Sequence, residues 1–198
     1  MSQRLKSLLG WSTIAAVFGI ILGSAVSEYL VRQQVTENGF RIGADFTLVD
    51  QDGRPMTKRD FDSKALALFA GFAYCPDICP TTLTRMSSLM EKLGPDAEKI
   101  QVVLFSVDPE RDTPAVLKSY LAAFSDRFKA ITGTPEQVKT FARDFRIYFA
   151  KVPRDGGDYT MDHSAGVFLF REGGAFQGTL DLHEGDDVAL KKLKLLVK

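Results

Sequence analysis

The chain is poor in the residues that build elaborate metal sites, with two cysteines and two histidines among 198 residues. A structural zinc site usually takes four protein ligands in two separated pairs, and a single cysteine pair does not supply them. Net charge is also lacking, because 25 basic residues balance 25 acidic ones. There is no stripe of arginine or lysine interleaved with aromatic residues, so nothing electrostatic favours nucleic acid. Small molecules or other proteins are the expected partners.

Charged side chains are missing from one long stretch near the N-terminus, Leu8 to Val26. A bilayer core needs about 20 apolar residues in a helix, whereas the apolar part of a cleaved signal peptide is about 7 to 15 residues long. The length therefore favours a retained membrane anchor over a removed signal peptide. Arg4 and Lys6 precede the stretch, which predicts a cytoplasmic N-terminus and a globular part outside the cytosol.

The order of the predicted elements indicates an α/β fold. Apolar runs predict buried strands at Leu66–Phe72 and Val102–Val107, with a helix at Thr81–Leu93 between them. Later helices alternate with strands, and the pattern predicts a mixed sheet, parallel at the helical connections and antiparallel at a final hairpin. The predicted organisation has three parts: a cytoplasmic stub and transmembrane anchor at 1–27, a tether at 28–43, and a globular domain at 44–198.

Both cysteines lie in one short motif, Cys75-Pro76-Asp77-Ile78-Cys79-Pro80, between a predicted strand and a predicted helix. Backbone N–H groups and the positive end of the helix dipole stabilise thiolates at this place. The pair can close as a disulfide, with sulfurs about 2.05 Å apart, or hold a metal, with sulfurs about 4 Å apart. Because one loop cannot do both, oxidation would expel the metal. A purely structural disulfide would close a very small loop and stabilise the fold little.

A third ligand is available at His163, in the segment predicted as a loop before a strand at Ala165–Phe170. Two thiolates and an imidazole suit copper. The other histidine, His183, lies in a polar turn that is predicted to face solvent. Met161 offers a thioether, although packing is its more ordinary role.

Charged residues near these ligands allow more than one interpretation. Asp77 can tune the thiols, contact a partner or face water, and Asp108 at a predicted strand end is equally open. Arg111 with Asp112 is interpreted as a loop ion pair of little energetic weight. Ligands of α/β proteins bind at the carboxyl ends of the strands, so Cys75, Asp108 and the His163 loop are expected to converge there.

Three separated segments of the sequence together resemble the SCO/SenC family of copper-binding proteins, which take part in cytochrome c oxidase assembly. The resemblance extends from about Phe46 to the C-terminus. The segments are Gly71–Pro80, Ser106–Pro114 and Tyr159–Ser164.

The resemblance implies a thioredoxin-like fold behind an N-terminal transmembrane helix, with copper bound by Cys75, Cys79 and His163. Members of this family are associated with delivering copper to the copper-A centre of cytochrome c oxidase subunit II, or with reducing its cysteines. We therefore expect a single-pass copper metallochaperone of the bacterial inner membrane. A bacterial periplasmic domain is expected rather than a mitochondrial one, because no arginine-rich, acid-poor presequence precedes the anchor. Other periplasmic copper carriers and thiol reductants are further expected partners.

Two other activities fit the same cysteine pair. In a thiol–disulfide oxidoreductase, Cys75 would attack, Cys79 would resolve and His163 would have no direct role. A peroxide reductase would need one activated thiolate, and the sequence offers no independent support for it. The presence of His163 favours the copper carrier, because dithiol exchange requires no third metal ligand.

Overall fold

The structure, a computed structural model, describes Gly23, Val26 and residues 46–198. The described fold lies within the second of two units of the chain, Phe40–Lys198. The predicted anchor and tether fall outside the described residues, apart from Gly23 and Val26. Among the residues that are described, no helix combines the length and apolar character needed to cross a membrane.

Within residues 46–198, seven strands form one mixed sheet and two more form a separate hairpin. The strands of the sheet are β1 Thr47–Asp50, β2 Pro55–Thr57, β3 Ala65–Gly71, β4 Ile100–Ser106, β5 Lys129–Thr132, β8 Val167–Phe170 and β9 Phe176–Leu180, and the hairpin strands are β6 Phe149–Pro153 and β7 Tyr159–His163. The spatial order in the sheet is β2-β1-β5-β4-β3-β8-β9, with β3, β4 and β5 parallel and the other neighbours antiparallel. The predicted mixed sheet is thus confirmed.

Two helices of this domain begin where the sequence carries threonine–proline start signals. Thr113 and Thr134 each precede a proline, and each threonine hydroxyl accepts a hydrogen bond from a backbone N–H three residues later. This arrangement satisfies an N–H group that would otherwise lack a partner at the helix start. The helices are α1 Ile78–Leu93, α2 Pro114–Leu121, α3 Pro135–Asp144 and α4 Asp186–Leu196.

The central strand β3 is buried at every position. Phe69 packs on one face of the sheet, in a core cluster with side chains of α1, α2 and α4. Leu68 and Ala70 pack on the other face, in a second cluster with side chains of α3. Because both faces are covered, the strand reads as a continuous apolar run without alternation. The cysteine loop starts directly after it.

Three local features differ from the sequence expectation. Helix α1 begins at Ile78 rather than Thr81, because Pro80 fits the first turn, where a missing N–H costs nothing. Cys79 therefore lies in the first turn of the helix. Strand β5 was not expected, and the segment Tyr159–His163 is a strand rather than a loop, pairing with β6 so that Phe149 lies opposite His163.

The last residue of β3 is a glycine for a steric reason that can be tested. A Cβ atom at Gly71 would lie 2.8 Å from the Cys79 sulfur and 2.9 Å from Leu104 Cδ1. We expect Gly71→Ala to lower the free energy of unfolding by about 1–3 kcal/mol, the usual cost of overpacking a core, in urea denaturation followed by circular dichroism. Gly166→Ala is the matched control, because its nearest neighbour would lie 3.6 Å away. Equal stability of the two variants would contradict the steric explanation.

Candidate metal centre

The three predicted ligands come from three different elements. Cys75 lies in the loop after β3, Cys79 in the first turn of α1, and His163 at the end of β7. Cys75 and His163 line an open cleft of about 340 Å³ between the cysteine loop and the hairpin. Cys79 is only 1% exposed and lies among core side chains. The fold therefore brings together residues that are far apart in the sequence.

The two sulfurs and the imidazole approach one another without being bonded. Both cysteines are free thiols, and Cys79 Sγ lies 4.0 Å from His163 Nε2. Around one metal ion, a sulfur and an imidazole nitrogen are separated by about 3.5–3.8 Å, given bonds near 2.3 and 2.0 Å. No three His, Cys, Asp or Glu side chains in residues 46–198 form a ready-made metal cage. Binding an ion here therefore requires the three side chains to draw together.

The ring of His163 is oriented by its own backbone. Nδ1 lies 3.0 Å from the carbonyl oxygen of Ser164. A carbonyl oxygen only accepts, so Nδ1 donates this hydrogen bond and, in the neutral ring, Nε2 keeps its lone pair for a ligand. Phe72 contacts the imidazole edge to face, with ring centroids 6.0 Å apart. Metal-binding histidines are commonly fixed through their second nitrogen in this way.

The two cysteines differ in acidity because one donates a hydrogen bond to the other. The Cys79 thiol donates to Cys75, and this bond, with help from His163, lowers the pKa of Cys75 to about 3 despite partial burial. Donating that bond, together with burial, raises the pKa of Cys79. The metal-free site therefore pairs a thiolate at Cys75 with a protonated thiol at Cys79, and binding a metal through both sulfurs releases a proton.

The charge on Cys75 also acts on the imidazole. Burial alone would lower the pKa of His163, but the Cys75 thiolate and the Ser164 carbonyl outweigh burial and raise it. A metal ion would compete with protons for the same nitrogen, so binding by these three side chains would weaken as the pH falls.

Large apolar side chains are exposed around the cleft. Tyr74 and Ile78, which flank the cysteines in the chain, are 60% and 46% exposed, and Tyr148, next to β6, is 59% exposed. Of these three, Ile78 lines the cleft and gives it an exposed apolar side chain that another protein can contact.

Other candidate residues occupy ordinary positions. His183 is exposed in the turn after β9, where its backbone N–H donates to Asp181 Oδ1 at 2.7 Å. Met161 is 8% exposed and packs in the core cluster beneath the hairpin, as its ordinary role predicts. Asp77 is exposed and lines the cleft beside Cys75.

The loop after β4 differs from its sequence interpretation. Arg111 pairs with Asp108, not with Asp112, and the Asp108 carboxylate is only 1% exposed. Asp112 is fully buried and accepts a hydrogen bond from the Ser106 hydroxyl at 2.6 Å. The interpretation of Arg111 with Asp112 as a loop ion pair was therefore wrong. The signal that could have revealed this is the position of Asp108, two residues after the last residue of the largely buried strand β4.

Sequence comparison identifies relatives of this domain. The profile of the SCO1/SenC family matches residues 34–198. The mitochondrial SCO2 homologue of Mus musculus is 37% identical over 175 residues, which cover 85% of this chain and 66% of the mouse protein. The chain therefore spans slightly less than two thirds of the length of this relative.

Solved structures share the fold. The copper-bound structure of Bradyrhizobium japonicum ScoI is 38% identical, with a TM-score of 0.72 over 78% of this chain and 98% of that protein. The copper-bound structure of yeast Sco1 is 32% identical, with a TM-score of 0.71 over 77% of this chain and 86% of that protein. These matches confirm the thioredoxin-like α/β fold that the resemblance implied. The agreement of sequence and fold shows that the chain belongs to the SCO1/SenC family.

Proposed function

We propose that this protein is a membrane-anchored copper metallochaperone that delivers copper to the copper-A site of cytochrome c oxidase subunit II. Cys75, Cys79 and His163 would hold the ion, and the uncharged stretch Leu8–Val26 would keep the domain on the periplasmic side of the inner membrane. One observation carries the proposal: two free sulfurs and an imidazole converge on a domain whose solved relatives hold copper.

The donor set suits a cargo that must be both held and released. Two thiolates and one imidazole are soft and borderline donors, which favour copper over magnesium or calcium. Three ligands leave room for an incoming sulfur from an acceptor, so copper can pass by stepwise ligand exchange. Cys75 is the more exposed sulfur and lines the open cleft, so an acceptor can approach it, whereas Cys79 lies beneath.

A second candidate function is supported by the unequal cysteines. A thiolate at Cys75 beside a buried thiol at Cys79 is the arrangement of an attacking and a resolving cysteine. The Cys75 thiolate would attack a disulfide of the copper-A site and form a mixed disulfide with one partner cysteine, releasing the other as a thiolate. Cys79 would then attack the Cys75 sulfur and release the second partner cysteine. The partner would leave with two reduced cysteines, while Cys75 and Cys79 would close as a disulfide, a transfer of two electrons.

The ligand set predicts how substitutions affect copper binding. The reduced wild-type protein is expected to bind one copper ion per chain, and Cys75→Ser or Cys79→Ser to bind none. His163→Ala should bind more than about tenfold more weakly, since losing a residue that merely orients a ligand already costs about 10- to 100-fold. X-ray absorption should show one fewer nitrogen neighbour in that variant. His183→Ala is the matched control, and a copper spectrum of His163→Ala identical to wild type would refute the site.

Delivery is tested by mixing the copper-loaded protein with the metal-free, reduced copper-A domain of subunit II. We expect copper to leave Cys75 and Cys79, and the absorption of the binuclear copper-A centre to appear once the loaded acceptor is oxidised by one electron with ferricyanide. The metal-free protein mixed with the oxidised copper-A domain tests the alternative. Rapid thiol exchange in that reaction, with no copper transfer in the first one, would favour the oxidoreductase.

The pKa of Cys75 predicts an unusual pH profile for its alkylation. With a pKa of about 3, Cys75 stays a thiolate as the pH falls, so its reaction with iodoacetamide should remain nearly constant between about pH 8 and pH 5. An ordinary cysteine would slow by about 10²- to 10³-fold over the same range. Cys79→Ala removes the main hydrogen bond and should restore pH dependence. Mass spectrometry of Cys75 gives the rates, and an ordinary profile in the wild type would contradict the assigned thiolate.

A further inference from the structure

The candidate site is built from two halves that are not part of one rigid element. The cysteine half is the loop and first turn between β3 and α1, and the histidine half is the β6–β7 hairpin. Among the described strands, the hairpin pairs with no strand of the main sheet. A two-stranded hairpin is only marginally stable alone in water, so side chains must hold it in place. The separation of His163 from the sulfurs depends on those side chains.

Arg111 lies between the two halves. Its guanidinium stacks on the ring of Tyr159 in the hairpin, with Cζ 3.8 Å from the ring centroid. The same Cζ lies 5.1 Å from the ring centroid of Tyr74 in the cysteine loop. Arg111 Nη1 also donates to the Tyr159 carbonyl oxygen at 3.1 Å. One side chain thus contacts both halves, by cation–π contacts and by a backbone hydrogen bond.

Asp108 accepts hydrogen bonds from both Arg111 and Tyr159. One carboxylate oxygen accepts from Arg111 Nε, and the other accepts from the Tyr159 hydroxyl at 2.9 Å. Asp108 is 1% exposed, and a buried carboxylate is costly unless its oxygens are paired in this way. The ion pair therefore has one well-defined geometry, and it acts on the strand that ends in His163.

Asp112 connects the same loop to the cysteine half. Its Oδ2 atom accepts from the backbone N–H of Ala73 at 3.0 Å and from the Ser106 hydroxyl. Ala73 is two residues before Cys75, so this buried carboxylate sets where the cysteine loop leaves β3. The loop after β4 therefore contacts both halves of the site. Asp112 bonds to the cysteine half, and Asp108 and Arg111 bond to the hairpin.

We propose that Asp108, Arg111 and Asp112 are positioning residues that set the distance between the His163 imidazole and the two cysteine sulfurs. They touch no ligand atom and act through Ala73, Tyr74 and Tyr159. The inference rests on the proposed copper site at Cys75, Cys79 and His163. The loop after β4 aligns the two halves, so that Cys75, Cys79 and His163 need only small movements to enclose the ion.

The test compares copper binding in Arg111→Lys and Tyr159→Phe with wild type, using the reduced full chain. Lysine keeps the charge but loses the flat face and the several N–H groups of the guanidinium. We expect the copper(I) dissociation constant of Arg111→Lys to rise about tenfold, and X-ray absorption to show partial loss of the nitrogen neighbour with both sulfurs retained. Tyr159→Phe keeps the ring and loses only the bond to Asp108, so a smaller shift in the same direction is expected.

Glu110→Gln is the matched control. Glu110 also joins this loop to the hairpin, through Lys151 Nζ at 2.7 Å, but both side chains of this ion pair are exposed. Exposed ion pairs contribute little, so this variant should bind copper as wild type does. Thermal melting of every metal-free variant accompanies the binding measurements, which separates loss of alignment from loss of folding.

The outcomes distinguish this proposal from the proposed function. If wild-type copper has no nitrogen neighbour, both the ligand set and the positioning role are overturned. If the wild type has one, and Arg111→Lys and Tyr159→Phe keep it with unchanged affinity, the positioning role alone is overturned. A lowered melting temperature with unchanged copper coordination also overturns it, because the loop then serves stability only. Should Arg111→Lys fail to fold, Tyr159→Phe alone decides between a weakened nitrogen ligand and an unchanged one.

Discussion

The candidate metal centre depends on where the β6–β7 hairpin rests, because no backbone ladder among the described strands joins that hairpin to the main sheet. Its position is set by side chains: Met161 and Phe149 pack on the core, and Tyr159 is held by Asp108 and Arg111. Each of these contacts contributes little free energy alone, but together they determine whether the His163 imidazole faces the sulfurs of Cys75 and Cys79. The loop after β3 and the first turn of α1 supply the cysteines, whereas the docked hairpin supplies the histidine.

The two cysteines differ in burial as well as in acidity. Gly71 leaves room for the Cys79 sulfur in the core, while Cys75 remains partly open to the cleft. A buried thiol that donates a hydrogen bond to its neighbour keeps its proton and stabilises the neighbouring thiolate. Copper carriage and thiol exchange both use that thiolate, so the two candidate functions share one chemical starting point and differ in whether His163 takes part.

Much of the fold follows from local patterns in the sequence. The apolar run of β3 and the Thr–Pro helix starts are set within a few residues, and each predicted element of this kind is present. Strand β7 was not predicted because Tyr159–His163 has polar residues facing a cleft and no apolar run. Residue type and the family resemblance indicated the three candidate ligands. The Asp108–Tyr159 hydrogen bond joins residues 51 positions apart, and no local pattern predicts such a contact. The membrane anchor stays a prediction from the N-terminal sequence.

The hydrogen bond from His163 Nδ1 to the carbonyl of the next residue has a consequence for how the centre opens. The Nδ1 bond ties the imidazole to the end of its own strand, so a displacement of the hairpin carries the ring along with it. Ser164 also bonds Tyr148 through both its backbone N–H and its hydroxyl, which closes the base of the hairpin. In the proposed copper site, loading and unloading would then change the spacing of the two halves while Nε2 stays the nitrogen that faces the ion.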